Sequence, residues 1–373
     1  MNHIVTVCEP NKCTGCMACV VSCPKDAICL STEFSGYSAV INTTKCVNCH
    51  RCEHVCQVHQ RVDLLNPIKW YQGWSKDEHI RSTSASGGIA TALVYDFIKN
   101  GGVVCCCVFK NGEFCFEIIE HVDFVTKIQG SKYVKSSLNS IYVDIKEILC
   151  ARKKLLFIGL PCQVAAVKLY LGDQLQNNLY TIDLICHGTP IPSVLEAYLA
   201  QYGIQLDQLS SINFRSNNDF RLSSDEIKIG IPCVKDAYMI SYLNGISYTE
   251  NCYNCIYSRL LRNSDITLGD SWGSELSTEA QSKGISLILC QTQKGAELLI
   301  RADLVLKDVD IERAIVFNHQ LSHPMMRPAK RAKFLASLTN NKKFNHIVFH
   351  CYPKQYFKQI VKSVIYKKRK NIK

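Results

Sequence analysis

Two cysteine runs in the first sixty residues constrain this chain more than any other feature. Cys13-Thr-Gly-Cys16-Met-Ala-Cys19-Val-Val-Ser-Cys23-Pro24 spells C-x2-C-x2-C-x3-C-P. Cys46-Val-Asn-Cys49-His-Arg-Cys52-Glu-His-Val-Cys56 repeats it 33 residues later, with Gln57 in place of the proline. Structural zinc takes four ligands as two pairs across a longer spacer, and a triple C-x2-C-x2-C run offers more thiolates than one tetrahedral ion uses. A 4Fe-4S cube takes four thiolates around its irons. The spacing therefore points to two 4Fe-4S clusters, with a zinc-stabilised interaction module as the rival. His50, His54 and His59 read as solvated or hydrogen-bonded, and Cys8 and Cys29 as small buried hydrophobes.

Residues 1–60 resemble the bacterial two-cluster ferredoxin domain, in which each run lends its last cysteine to the other cluster. The ligand sets expected are Cys13, Cys16, Cys19 and Cys56, and Cys46, Cys49, Cys52 and Cys23.

The chain has 373 residues, more than one core usually organises, and 47% hydrophobic residues, enough for packed cores. No apolar run approaches a membrane span and the N-terminus lacks a secretory pattern, so the expected location is the cytoplasm. There, 22 cysteines are metal-binding or catalytic before they are disulfides. The net charge of +11 is local: residues 313–373 hold 15 Lys or Arg and no Asp or Glu, leaving 28 basic against 32 acidic residues before them.

Residues 61–84 read as a linker. Ser86-Gly87-Gly88 then opens a helix that Gly101-Gly102 stops, with serine available as N-cap and backbone N–H groups open to an anion. Val103–Phe109 and Phe114–Ile119 read as a hairpin across Asn111-Gly112, which makes Cys105, Cys106 and Cys107 strand residues. Lys154–Leu160, the helix from Pro161 and Leu179–Cys186 form a β-α-β unit. It sets Cys162 and Cys186 at one carboxyl edge of a parallel sheet, where such sheets bind ligands. Cys252-x-x-Cys255 follows in a polar loop. Those four cysteines make a candidate third 4Fe-4S site, against a reading of Cys162 as a separate thiol.

From Arg81 onward the chain resembles the coenzyme F-420 hydrogenase/dehydrogenase beta-subunit family. The residues that carry the match are Ser86-Gly87-Gly88, Gly130-Ser131-Lys132-Tyr133-Val134, Gly159-Leu160-Pro161-Cys162-Gln163, Asp183-Leu184-Ile185-Cys186-His187-Gly188, Phe214-Arg215, Cys252-x-x-Cys255 and Gly269-Asp270-Ser271-Trp272-Gly273. The resemblance implies non-covalent FAD beside an iron–sulfur cluster, and strengthens the third site. It also gives Ser86, Gly87, Gly88, Gly130, Ser131, Lys132 and Tyr133 a cofactor-binding role, with His187 and Lys132 as candidate proton donors. A G-x-G-x-x-G fingerprint is absent.

The expected architecture is α+β/α/β: a ferredoxin-like domain (1–60), a linker (61–84), an α/β flavin-binding body in two parts (85–150 and 151–312) and a basic extension (313–373). The expected function is an oxidoreductase relaying electrons from a ferredoxin-like donor through 4Fe-4S clusters to FAD and a small organic acceptor. The alternative is an electron-transfer subunit without its own substrate chemistry. The extension reads as a solvated tail or a dock for an acidic partner, with weak contact to anionic lipid as a third reading and nucleic acid disfavoured.

Overall fold

The computed structural model describes residues 5–216, 219–225 and 229–371, the last of these without the side chains of 369–371. An N-terminal ferredoxin-like lobe carries one hairpin, β1 (Ile28–Glu33) and β2 (Gly36–Ile41), beside two short helices, Ala18–Val21 and Arg51–His54, that follow the cysteine loops. The body is built on an eight-stranded mixed sheet. Its strands are β3 (Lys69–Ser75), β4 (Val103–Lys110), β5 (Glu113–Ile119), β6 (Leu155–Gly159), β7 (Leu179–Leu184), β10 (Ile266–Asp270), β11 (Ser286–Cys290) and β12 (Leu304–Lys307). A separate hairpin pairs β8 (Asn213–Ser216) with β9 (Asp219–Ser223). The sheet order is β12-β3-β11-β10-β7-β6-β4-β5. The central four, β10, β7, β6 and β4, are parallel, and the flanking pairs are antiparallel.

The expected β-α-β unit is present, with Gly159 opposite Asp183 at its carboxyl edge. The hairpin turns at Asn111 (φ 51°) and Gly112 (φ 80°), the left-handed pair that a tight two-residue turn needs.

Two expectations change. The segment read as a linker contains β3, an interior strand between β12 and β11. Its polar Gln72 hides the alternation, yet is buried and satisfied: its Nε2 donates to Asp308 O (2.9 Å) and its Oε1 accepts from Ser274 Oγ (2.6 Å). The two parts of the body share this sheet, since β4 from the first part pairs in parallel with β6 from the second. The basic extension packs on the body as far as Cys351, whereas the helix Pro353–Asn371 keeps Phe357, Ile360, Val361, Val364 and Ile365 exposed. Phe334 and Phe344, on helices Arg331–Thr339 and Phe344–Cys351, join Tyr198, Phe214 and Tyr238 in an aromatic core. Arg331 is buried, with Nη1 3.0 Å from Glu250 Oε2 and Nη2 donating to Tyr248 O at 2.6 Å. No helix among the described residues is long and apolar enough to cross a membrane.

Candidate redox site

The cysteine loops turn through left-handed residues: Gly15 (φ 66°) and Met17 (φ 65°) in the first, Asn48 (φ 53°) and His50 (φ 56°) in the second. A Cβ on Gly15 would stand 2.5 Å from the Tyr37 ring, so only glycine fits. Such turns aim peptide N–H groups at sulfur. Ala27 N–H points to Cys23 Sγ (3.3 Å) and Asn48 N–H to Cys46 Sγ (3.5 Å). Cys13 receives Gly15 and Ala39, Cys16 receives Ala18, and Cys56 receives Val58 and His59.

Cys23, Cys46, Cys49 and Cys52 border one small cavity. Cys13, Cys16, Cys19 and Cys56 interact electrostatically as a second group, and Cys52 bears on Cys19 across the gap between the two. The structure thus gathers the cysteines in the crossed pairing. Among the described residues, no three His, Cys, Asp or Glu side chains converge as ligands of a single metal ion do. His50 pairs with Glu53 (3.2 Å), and His59 Nε2 lies 2.6 Å from Val7 O with the ring within electrostatic reach of Cys56.

Cys29 is exposed on β1 and is not the buried hydrophobe expected. Cys8 is buried but is more than a hydrophobe. Hydrogen bonding to Cys13 and Cys56 pushes its thiol up, and the same bonds lower Cys13 to about 7 and Cys56 to about 6. A protonated Cys8 thus favours thiolate at both neighbours.

Cys162, Cys186, Cys252 and Cys255 also meet. Burial raises Cys186, and the nearby Cys252, Cys162 and Cys255 raise it further; burial lifts Cys255 to about 11, with Cys252 and Cys162 adding to it. Lys135 sits among them with Nζ 3.2 Å from Cys162 Sγ. Burial alone would lower this ammonium, but Cys162 and Cys252 hold it above its ordinary value. A buried cation against gathered thiols suits a centre of net negative charge, as four thiolates around a 4Fe-4S core are.

The two lobes are tied at the thiols. Gln57 Nε2 donates both to Thr14 Oγ1 (3.1 Å) and to Cys162 O (2.8 Å). The Tyr142 hydroxyl, on the body helix Ile141–Cys150, donates to Cys16 O (2.7 Å). Tyr257 lies within electrostatic reach of Cys162, Cys255 and Cys16.

A cavity of about 510 Å3 opens at the carboxyl ends of the parallel strands and includes Cys186 in its wall. Ser86, Gly88, Gly130, Ser131, Lys132, Tyr133 and His187 line it. The helix Ile89–Lys99 begins there from Gly88 (φ 80°) without a side-chain cap, and Ile89, Ala90 and Thr91 also border the cavity. Open N–H groups at a helix start suit a phosphate oxygen, so the residues present fit a dinucleotide. Serine does not cap this helix as expected, because Ser84 Oγ donates to Ile80 O (2.7 Å) and Ser86 Oγ to Ile285 O (3.0 Å). Gly87 is not part of the wall. Its N–H is taken by Ser286 Oγ (3.0 Å), and a Cβ there would stand 2.4 Å from Gly73 O, so its role is close packing. The Lys132 ammonium is held by three carbonyls, Ile128 and Gln129 at 3.0 Å and Gly130 at 3.4 Å, which use all its donors. Geometry therefore makes Lys132 a clamp on the Gly130 turn rather than a free phosphate ligand or acid.

Burial lowers His187 to about 4, with His319 adding to it, and Gln320 Nε2 contacts its Nδ1 at 2.6 Å. Arg215, Phe220, Tyr242 and Asp270, to which sequence alone assigns no role, complete the wall. Arg215 makes a two-pronged pair with Asp270 (2.6 and 2.8 Å) and lies over Phe220, while Tyr133 stacks on Tyr242 with centroids 4.5 Å apart. Phe214-Arg215 and Gly269-Asp270 are visible as motifs, but 55 residues separate the partners. Gln57 is visible only as the residue that replaces the proline of the first run, and Lys135, Lys235 and Gln320 carry no signal in sequence.

Residues 70–142 match the N-terminal part, and residues 152–310 the C-terminal part, of the family described as "Coenzyme F420 hydrogenase/dehydrogenase, beta subunit". The chain belongs to this family. Residues 12–59 match a 4Fe-4S dicluster domain, so the N-terminal lobe of this beta-subunit relative is an iron–sulfur electron-transfer unit. Among solved structures, a chain of the F420-reducing NiFe hydrogenase complex from Methanosarcina barkeri, studied by xenon derivatisation, is similar at 18% identity and a TM-score of 0.46. The match covers 70% of this chain and 94% of that one. No curated protein matches.

Proposed function

We propose that this chain is an iron–sulfur flavoprotein oxidoreductase that takes electrons singly from a ferredoxin-like protein donor and delivers them in pairs to a small organic acceptor in the cavity. The observation that carries this reading is the succession of three thiol groups, the outer reaching the inner where Cys52 bears on Cys19 and the inner facing the body set across Tyr257, that ends at Cys186 in the cavity wall. The outer set, Cys23, Cys46, Cys49 and Cys52, lies under an exposed loop with Val47 55% accessible, where a protein donor can approach. The inner set is Cys13, Cys16, Cys19 and Cys56, and the body set is Cys162, Cys186, Cys252 and Cys255. FAD would be held by the start of the helix Ile89–Lys99 and the Gly130–Tyr133 turn. When bound, the clusters supply one-electron carriers and the flavin exchanges single electrons for pairs.

The chain's own residues do the rest. Gln57 and Tyr142 hold the lobes in register, Lys135 offsets negative charge at the body thiols, and the Arg215–Asp270 pair stiffens the aromatic wall. His187, neutral at physiological pH, is placed to exchange a proton with the acceptor.

Anaerobic purification with iron, sulfide and flavin analysis tests this reading. About twelve irons per chain and extractable FAD are expected. Zinc without sulfide, or protein that cannot be reconstituted with FAD, overturns it. Reduction of acceptors only in the presence of a second protein would favour the electron-transfer subunit.

A further inference from the structure

One side of the last helix, Pro353–Asn371, touches the body. Tyr356, Gln359, Ser363 and Tyr366 are partly covered there. Gln355 and Asn244 exchange amide hydrogen bonds at 2.7 and 2.9 Å, and Gln359 Oε1 accepts from Lys235 N–H at 3.1 Å. The Tyr356 ring stands 5.7 Å from that of Phe349 on the preceding helix. The other side is bare. Phe357, Ile360, Val361, Val364 and Ile365 are 43 to 62% exposed. Their spacing of i, i+3, i+4, i+7 and i+8 sets all five in one stripe. Apolar residues exposed singly need no explanation, but a continuous stripe on an otherwise charged helix does.

Charge indicates what covers it. Residues 353–371 hold seven Lys or Arg and no Asp or Glu. Lys358 lies two turns before Ile365 and Lys367 two turns after Ile360, so exposed lysines edge the stripe on both sides. A second copy of the chain would bring two such positive helices together, and like charges repel. A protein that takes a helix into a groove grips its flanks as well as its apolar face, and here one flank is already held by the body. An anionic bilayer needs only the free face. Hydrocarbon takes the stripe, while the lysine stems lie along it and carry their ammonium groups up to the phosphates. The helix is not long and apolar enough to cross the bilayer, so contact is side-on.

We propose that the outer face of Pro353–Asn371 binds the surface of an anionic phospholipid bilayer. Binding of this kind needs neither clusters nor flavin, so it stands or falls apart from the proposed electron transfer.

Co-sedimentation of the full chain with vesicles tests it. Phosphatidylcholine vesicles with about 30% phosphatidylglycerol should bind the protein at least roughly tenfold more tightly than phosphatidylcholine alone, and about 0.5 M salt should weaken that binding. Two variants should each lose roughly tenfold. Phe357→Ser/Val361→Ser/Val364→Ser removes the stripe, and Lys358→Gln/Lys362→Gln/Lys367→Gln removes charge beside it. All six side chains are exposed, so both variants should keep the circular dichroism and thermal midpoint of the protein. A charge-matched control at exposed lysines elsewhere, Lys99→Gln/Lys146→Gln/Lys154→Gln, should bind as the protein does. No preference for anionic vesicles, unchanged binding by the stripe variant, or equal weakening in the control overturns the proposal. So does a chain that ignores vesicles yet binds polyglutamate through the same three helix lysines, which would make the helix a dock for an acidic protein.

Discussion

The side-chain amide of Gln57 lies 2.8 Å from the carbonyl oxygen of Cys162, joining the residue after the last cysteine of the N-terminal lobe to the first of the four gathered cysteines of the body. Gln57 occupies the position where the first run has Pro24. Proline there could not make this bond, so the departure from the repeat has a structural use. Gln57→Ala should cost about 1–2 kcal/mol, the value of a buried hydrogen bond lost with its acceptor left unpaired. It should also slow electron delivery to the cavity more than reduction of the outer clusters. Thermal midpoints and stopped-flow absorbance read the two effects.

Removal of the Lys135 charge should unsettle the body thiols alone. Lys135→Met leaves Cys162 and Cys252 without their cation. Iron is expected to fall from about twelve to about eight per chain. An unchanged iron count with an unchanged reduction potential would show that Lys135 has no such role.

The crossed pairing predicts that Cys23→Ala and Cys49→Ala damage the same cluster. Each single variant and the double variant should lose the same roughly four irons. A double variant losing about eight would separate the two cysteines.

His187 sets a pH dependence. Burial lowers its imidazole from 6.5 to about 4, so between those values the unfolded chain binds a proton that the folded chain does not. The stability this group contributes is present above pH 6.5 and lost as pH falls toward 4. The difference in thermal midpoint between the protein and His187→Gln should shrink as pH drops through that window. Activity should show no break near 6.5 from this group.

Breaking the Arg215–Asp270 pair should be costly, since Arg215 is 5% exposed and would keep its charge. Asp270→Asn is expected to destabilise by about 3 kcal/mol, measured by denaturation of the apoprotein.

Local sequence already determined much of this protein. The two cysteine runs specify tight loops because x2 spacing with glycine at position 15 leaves few backbone paths, and the β-α-β unit from Lys154 to Cys186 follows from apolar runs punctuated by Pro161. The hairpin at Asn111-Gly112 is legible for the same reason: positive φ at both residues is chemistry that neighbours alone decide. What tertiary structure decided has no short-range signal. β3 is a strand because β11 and β12 hydrogen-bond to it and bury its glutamine, not because its own residues alternate. Gln57 on Cys162, Lys135 at the same cysteine and Arg215 on Asp270 are pairings across 27 to 105 residues. Lys132, which sequence offers as a ligand, is instead consumed by three carbonyls of its own turn. Residue type sets what a side chain can do, but burial and the partners that folding brings within 3 Å set which of those things it does.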